Sequence, residues 1–226
     1  MCASRSIIDK GKVGKLVATL QKEKYDVFLE ADLCKKVKDK SADMEDIASG
    51  IIMACHPRAI HSHLHWIGLK AEQVVSIRNN RLEDVLSQLQ IVPHENLHEK
   101  AEYLEEINSL PIEDGTDAWF PVLDKERCNE CGKCNDFCLF GVYTLENGKI
   151  RVTQPQNCKN NCLSCARICP TKAIIFPKYE KSPFNGGIEI EEQFDSLKMD
   201  ALYKEALYNR LQQRRAGISL IKKEDK

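Results

Sequence analysis

Apolar residues in the N-terminal part of the chain alternate between helical spacing and short continuous runs. Val13, Leu16 and Leu20 repeat at helical intervals behind Asp9, which predicts a helix with Asp9 as its N-cap. Short apolar runs predict strands at 25–29, 50–54 and 73–77, and further helical patterns follow at 57–67, 82–89 and 95–108. This alternation predicts a small parallel sheet with flanking helices over residues 1–110.

The pattern changes after residue 118, where the predicted strands become shorter and more closely spaced. Residues 119–124 and 173–176 are typical of short strands, and two more, at 143–145 and 150–152, are joined through Asn147-Gly148. An Asn-Gly pair between apolar runs is a strong hairpin signal. Residues 119–177 are therefore predicted to form a second, α+β domain, with residues 111–118 as the linker.

A polar extension, residues 178–226, completes the chain. Its residues 197–214 have helical spacing of apolar side chains on Met199, Leu202, Tyr203, Ala206 and Leu211. We interpret this amphipathic helix either as a docking helix for a larger complex or as a helix that packs back on its own domain. The predicted fold class is thus a small α/β parallel-sheet domain, an α+β domain and a helical tail.

Eight of the eleven cysteines form two closely spaced runs in the second domain. Three thiolates on one short loop can wrap one face of an iron–sulfur cubane, while the fourth begins a helical turn that faces a second site. The spacing therefore predicts two [4Fe-4S] clusters with crossed ligands. Cluster I takes Cys128, Cys131, Cys134 and Cys169, and cluster II takes Cys158, Cys162, Cys165 and Cys138.

These runs resemble the C-x2-C-x2-C-x3-C-P pattern of bacterial dicluster ferredoxins, and the resemblance extends over residues 119–177. Two positions depart from the pattern: three residues separate Cys158 from Cys162, and Leu139 stands where proline is usual. The resemblance implies a one-electron carrier. Apolar side chains expected to cover the clusters are Phe137, Phe140, Tyr143 and Phe176.

A zinc site is the alternative interpretation of these cysteines. Tetrahedral zinc sites also use C-x2-C pairs, but they use two separated pairs, and a third thiolate at the same spacing is hard to place on one ion. Iron–sulfur clusters are therefore favoured. A disulfide framework is disfavoured because the number of cysteines is odd and the opening residues contain no apolar signal core.

The remaining three cysteines are Cys2, Cys34 and Cys55, all in the predicted α/β domain. The segment Ala54-Cys55-His56-Pro57-Arg58 follows a predicted strand, and Cys34 lies about twenty residues upstream. This resembles the N-terminal domain of the A subunit of heterodisulfide reductases, which implies a further cluster on these cysteines.

The chain departs from that family where its motifs are most specific. The family's C-x-C element keeps only Cys2 here, His56 replaces a serine, and a flavin domain is missing from the sequence pattern. A third iron–sulfur cluster on Cys2, Cys34 and Cys55 and a set of ordinary buried cysteines both remain open interpretations.

Charge excludes some classes of partner. The chain has 33 basic and 34 acidic residues and a formal net charge of −1, which argues against nucleic acid or an anionic membrane surface as a partner. No stretch approaches the apolar length of a membrane span. We expect a cytoplasmic protein of anaerobic metabolism.

The sequence contains no catalytic triad, paired carboxylates or activated nucleophile, so no catalytic residue is predicted. We expect an electron carrier or a subunit of an anaerobic oxidoreductase complex, with a flavoenzyme or another oxidoreductase subunit as its redox partner. The alternative is a redox enzyme subunit in which an open cluster on Cys2, Cys34 and Cys55 binds a substrate.

Overall fold

The computed structural model of the chain describes residues 1–3, 7–91 and 118–187, with positions 105, 107–109, 204, 205, 208 and 212. Most of the predicted helix at 95–108, almost all of the linker at 111–118 and most of the amphipathic helix at 197–214 lie outside the described residues. In the part of the chain that is described, no helix is long and apolar enough to cross a membrane.

The N-terminal domain alternates helices and strands as its apolar pattern predicts. Its elements are α1 (Lys10–Lys22), α2 (Leu33–Asp39), α3 (Met44–Ser49), β1 (Ile51–Ala54), α4 (Pro57–Trp66), β2 (Gln73–Ser76) and α5 (Leu82–Gln88). The predicted cap of α1 is confirmed, because Asp9 Oδ1 accepts a hydrogen bond of 2.8 Å from the Lys12 amide. Pro57 opens α4, where its missing N–H leaves no hydrogen bond unmade.

A small parallel sheet forms the centre of this domain. β1 and β2 pair in parallel, and Cys2 donates its amide to the Met53 carbonyl at 2.8 Å on the other side of β1. Ala3 in turn donates to the carbonyl of Glu30 at 2.7 Å. The predicted strand at 25–29 is not formed. Only the neighbouring Glu30 makes an isolated parallel bridge, with Cys2, since residues 1–3 offer few backbone partners.

The second domain is a compact set of short elements around two hairpin-like repeats. It comprises β3 (Val122–Leu123), α6 (Lys133–Phe137), β4 (Tyr143–Glu146), β5 (Lys149–Val152), a 3-10 turn (Pro155–Asn157), α7 (Ser164–Ile168) and β6 (Ile174–Ile175). β3 pairs antiparallel with β6, and β4 with β5.

The turn between β4 and β5 has the geometry that its sequence predicts. Asn147 and Gly148 both have positive φ, 51° and 72°, as a two-residue type I′ hairpin requires. The predicted strand at 119–124 is shorter than expected and pairs only at Val122–Leu123. Pro121 precedes it and has no N–H to donate to a ladder.

The two domains pack tightly against each other through α4. Arg58 Nε donates to Asp124 Oδ2 at 2.6 Å, and Trp66 Nε1 donates to the Val152 carbonyl at 2.9 Å. Residues 178–187, at the start of the predicted extension, fold into this interface: Asn185 is fully buried, and Lys178 forms an ion pair with Asp32. The cysteine domain is therefore joined to the parallel-sheet domain by buried hydrogen bonds and ion pairs.

Candidate metal centres

The two cysteine runs fold into two copies of one local arrangement. In each run the third cysteine lies inside a five-residue helix, Cys134 in α6 and Cys165 in α7. The fourth cysteine ends that helix with extended backbone angles, φ −76° and ψ 111° at Cys138, and φ −68° and ψ 114° at Cys169. The predicted internal repeat is thus present in the backbone, with the same local conformation at each fourth cysteine.

The cysteine side chains gather around two cavities. One is lined by Cys128, Cys131, Cys134 and Cys169. The other is lined by Cys138, Cys158, Cys162 and Cys165. Each cavity combines three cysteines of one run with the fourth cysteine of the other, which is the grouping expected for crossed ligation.

The thiols fit a group larger than a single metal ion. Among the described residues, no three His, Cys, Asp or Glu side chains stand close enough to bind one ion, although four thiols line each cavity. A tetrahedral zinc site would need sulfurs about 2.3 Å from a common centre. All eleven cysteines are free of disulfides. Four thiols at each cavity supply the number of ligands that one cubane cluster takes.

Burial disfavours the ionised form of these thiols unless a cationic group is bound nearby. Burial and then the nearby Cys169 raise the pKa of Cys134 to about 12, and burial and then Cys162 raise that of Cys158 to about 12. Burial also raises the pKa of Cys165. Four thiolates around one cavity repel each other, and burial of Cys134 and Cys165 adds to that cost, so a bound metal centre would favour their deprotonated form.

Hydrogen-bond donors surround the sulfurs. The Tyr143 hydroxyl donates to Cys165 Sγ at 3.1 Å, and the Ala173 amide donates to Cys169 Sγ at 3.3 Å. Sequence reasoning placed Tyr143 only among the apolar covering residues and missed its polar contact. The signal available was its position in the repeat, five residues after Cys138, where the second run has Ile174.

The covering side chains are only partly as predicted. Phe137 and Phe176 are buried, whereas Phe140 is 41% exposed, and Leu139, at the position where proline is usual, is 50% exposed. Both exposed residues follow Cys138 directly. They place an apolar surface beside the second cavity, which they also line.

The three N-terminal cysteines also come together, at the end of the parallel sheet. Cys2, Cys34 and Cys55 are all buried, and nearby thiols contribute to raising the pKa of Cys34 and of Cys55. Burial is the largest cause for both, and it raises the pKa of Cys55 to about 11.

Two cations, the buried Lys178 and the half-buried Arg78, act on these thiols. The Lys178 ammonium acts on Cys34, and the Arg78 guanidinium acts on Cys55. Lys178 Nζ also binds Asp32 Oδ2 at 2.5 Å, and its side chain is only 5% exposed. Cys2, Cys34 and Cys55 are thus buried, coupled electrostatically to one another, and influenced by two cationic side chains.

The histidines of the segment His61-Ser-His-Leu-His65 separate by helical geometry. His61 and His65 are exposed on α4, whereas His63 is 1% exposed and packs against Phe120, with ring centroids 5.4 Å apart. Neither ring nitrogen of His63 has a hydrogen-bond partner among the described residues. Burial and then Lys178 lower its pKa to about 3, so it is neutral at physiological pH.

The family described as a 4Fe-4S dicluster domain matches residues 120–174. An uncharacterized ferredoxin of Methanocaldococcus jannaschii is 48% identical over 67 residues, 29% of this chain and 45% of that protein. A second uncharacterized ferredoxin of that organism is 42% identical over 57 residues, 24% of this chain and 73% of that protein.

The pyruvate synthase subunit PorD of the same organism is 38% identical over 76 residues, which cover 33% of this chain and 86% of the subunit. The chain therefore spans less than half of the first of these relatives and most of the other two. No solved structure gives a significant match.

Proposed function

Because this chain belongs to the ferredoxin family, we propose that its residues 119–177 hold two [4Fe-4S] clusters and carry electrons singly between partner proteins. The observation that carries the proposal is the pair of cavities, each lined by four cysteines drawn from both runs. Cluster I takes Cys128, Cys131, Cys134 and Cys169. Cluster II takes Cys158, Cys162, Cys165 and Cys138.

The chain's own residues do three things for such clusters. The thiolates hold the iron, and the crossed fourth cysteines fix the distance between the two sites. Buried apolar side chains, among them Phe137 and Ile174, keep water away from the sulfurs. Donors such as the Ala173 amide stabilise negative charge on the sulfurs. When bound, the clusters supply one-electron redox chemistry.

The metal content tests this proposal. Anaerobically purified protein should contain about eight irons and about eight sulfides per chain, with two coupled signals in electron paramagnetic resonance after reduction. Two zinc ions without sulfide, or no bound metal, would overturn the proposal.

Paired substitutions test the crossed ligation separately. Cys138→Ala with Cys158→Ala removes two ligands of cluster II, so about four irons should remain. The matched pair Cys128→Ala with Cys138→Ala removes one ligand from each cluster, so both clusters should be lost. The reverse result would mean that each run binds its own cluster.

We further propose that this carrier is a subunit or a dedicated partner of an oxidoreductase in a reducing, cytoplasmic compartment. Similarity to a pyruvate synthase subunit supports this role, and the free state of all eleven cysteines fits a reducing compartment. Affinity purification of the tagged chain from its native host, under anaerobic conditions, should yield stoichiometric oxidoreductase subunits. Recovery of the chain alone at native expression level would contradict a subunit role.

A second candidate function rests on the N-terminal cysteines. Three buried thiols beside the buried Lys178 and the half-buried Arg78 form a setting that suits an anionic iron–sulfur cluster. The resemblance to the A subunit of heterodisulfide reductases supports the same idea. With only three thiolates, one iron of that cluster would be open to a substrate or to His56.

Iron content distinguishes this candidate from a set of structural cysteines. A third cluster would raise the content to about eleven or twelve irons per chain. The variant Cys34→Ala with Cys55→Ala would then return it to about eight. If wild type and variant both contain about eight irons, the N-terminal cysteines hold no cluster.

A further inference from the structure

The two halves of the cysteine domain differ at one structurally equivalent position. Tyr143 lies five residues after Cys138, and Ile174 lies five residues after Cys169. Both fourth cysteines leave their helices with nearly the same backbone angles, and both later residues begin short strands, β4 and β6. The repeat therefore places a phenol on one side and an aliphatic side chain on the other.

The phenol of Tyr143 is aimed at one cluster ligand. Its hydroxyl donates to Cys165 Sγ at 3.1 Å, and Tyr143 is 5% exposed. The other hydroxyl contacts to ligand sulfurs are longer. Thr171 Oγ1 lies 3.7 Å from Cys169, and Ser164 Oγ lies 3.6 Å from Cys162, and these residues are only half-buried. Tyr143 is thus the shortest and most buried hydroxyl contact among the described residues.

A donor at this position acts differently on the two redox states. Reduction adds one negative charge to a cluster, and part of that charge falls on the ligand sulfurs. A hydrogen bond to a sulfur stabilises the more negative state and so raises the reduction potential. The effect is larger in a buried site because water does not screen it. Ile174 has no hydroxyl at the equivalent position. The Ala173 amide donates to Cys169 Sγ of cluster I at 3.3 Å, but this bond comes from the backbone and is the same whatever side chain stands at position 143.

We infer that the Tyr143 hydroxyl raises the reduction potential of cluster II relative to cluster I, and so biases an electron on this chain toward cluster II. This inference rests on the proposed function, since it requires both clusters. Tyr143 acts through Cys165 and is a positioning residue. The exposed Leu139 and Phe140 lie beside the same cavity, so the favoured electron would sit next to an accessible apolar surface.

The test compares wild type with Tyr143→Phe, which removes only the hydroxyl. Both proteins are first assayed for iron and sulfide, which tests the proposed function on the wild type alone. They are then reduced by one electron per chain, and paramagnetic nuclear magnetic resonance measures how the electron divides between the clusters. The β-protons of Cys165 identify cluster II through their proximity to the ring at position 143.

With full cluster content in both proteins, the ratio of reduced cluster II to reduced cluster I should fall by about fivefold in Tyr143→Phe, as a net hydrogen bond of average strength implies. Tyr179→Phe, at a half-buried tyrosine that packs on Phe184 just after the cysteine domain, should leave the ratio unchanged. An unchanged ratio in fully loaded Tyr143→Phe, or an equal change in Tyr179→Phe, would overturn the inference. Absence of two clusters in the wild type would instead overturn the proposed function.

Discussion

The ion pair between Arg58 and Asp124 joins the two domains and also supports the first cysteine loop. Arg58 Nε donates to Asp124 Oδ2 at 2.6 Å, and the two side chains are 16% and 9% exposed. The other carboxylate oxygen, Oδ1, accepts from the amides of Glu126 and Arg127, at 3.0 and 3.3 Å. Since Cys128 follows Arg127, the pair fixes the start of the first cysteine loop.

Replacing Arg58 with methionine keeps the apolar stem and removes the guanidinium. Removal of one partner from a buried pair costs about 3–5 kcal/mol, because a buried charge is left uncompensated. Arg127 Nε remains 3.8 Å from Asp124 and the amides still donate, so the lower end, about 3 kcal/mol, is expected. Arg58 also donates to the Lys172 carbonyl, and that contact is lost as well.

Hydrogen exchange under native anaerobic conditions measures this loss without removing the clusters. If the domains open locally, amides of α4 and of residues 124–128 should exchange about a hundredfold faster in Arg58→Met, since every 1.4 kcal/mol is tenfold. The matched control is Arg81→Met, whose pair with Asp84 is solvent-exposed, and it should change exchange by no more than about twofold. An Arg58→Met protein that exchanges less than about threefold faster would refute the reasoning.

Three further predictions concern other buried groups. The folded pKa of His63, about 3, lies below its ordinary 6.5, so the unfolded chain binds more protons between these values and stability falls as pH drops below 6.5. Between pH 7.5 and 5.5 the free energy of unfolding, measured by calorimetry, should therefore fall by about 1.4 kcal/mol less in His63→Leu than in wild type. An equal fall in both proteins would contradict this. Gly132 has φ 76° beside Cys131 and Cys134, and a Cβ there would meet nothing closer than 3.7 Å. Gly132→Ala should therefore add about 1–2 kcal/mol of backbone strain and speed the loss of clusters to a chelator. An unchanged rate of cluster loss would contradict this prediction. Lys178→Met leaves the Asp32 carboxylate buried and unpaired, so Tm should fall by roughly 6–12 °C. Adding Asp32→Asn should recover part of that loss, and no recovery would mean that the ion pair is not the cause.

Several features of the fold were predictable because their causes lie within a few residues of each other. The Asp9 cap of α1 and the Asn147-Gly148 hairpin depend on neighbouring backbone groups, and the structure confirms both. The strand predicted at 119–124 is shorter in the structure, where only Val122–Leu123 pair. The length of a strand depends on its partner strand and, here, on Pro121.

The candidate site also combines features that follow from local sequence with features that depend on the fold. Cysteine spacing predicted which thiols group together, because three of each four lie on one short loop. The contact of Tyr143 with Cys165 was missed because its 22-residue separation is bridged only by the fold. The burial of His63 was missed for a related reason: its helix is amphipathic, but the face that meets Phe120 is defined by the second domain.

The sequence by itself determined the iron–sulfur character of this protein, since the loop that wraps a cluster is encoded in the spacing of its cysteines. Tertiary structure alone decided what surrounds those loops. Arg58 meets Asp124 across 66 residues, and Lys178 meets Asp32 across 146. Such pairs form only when distant segments pack together. Burial then makes the interaction between the two charges stronger than it would be at the surface. The electrostatic setting of the cysteines therefore belongs to the folded chain.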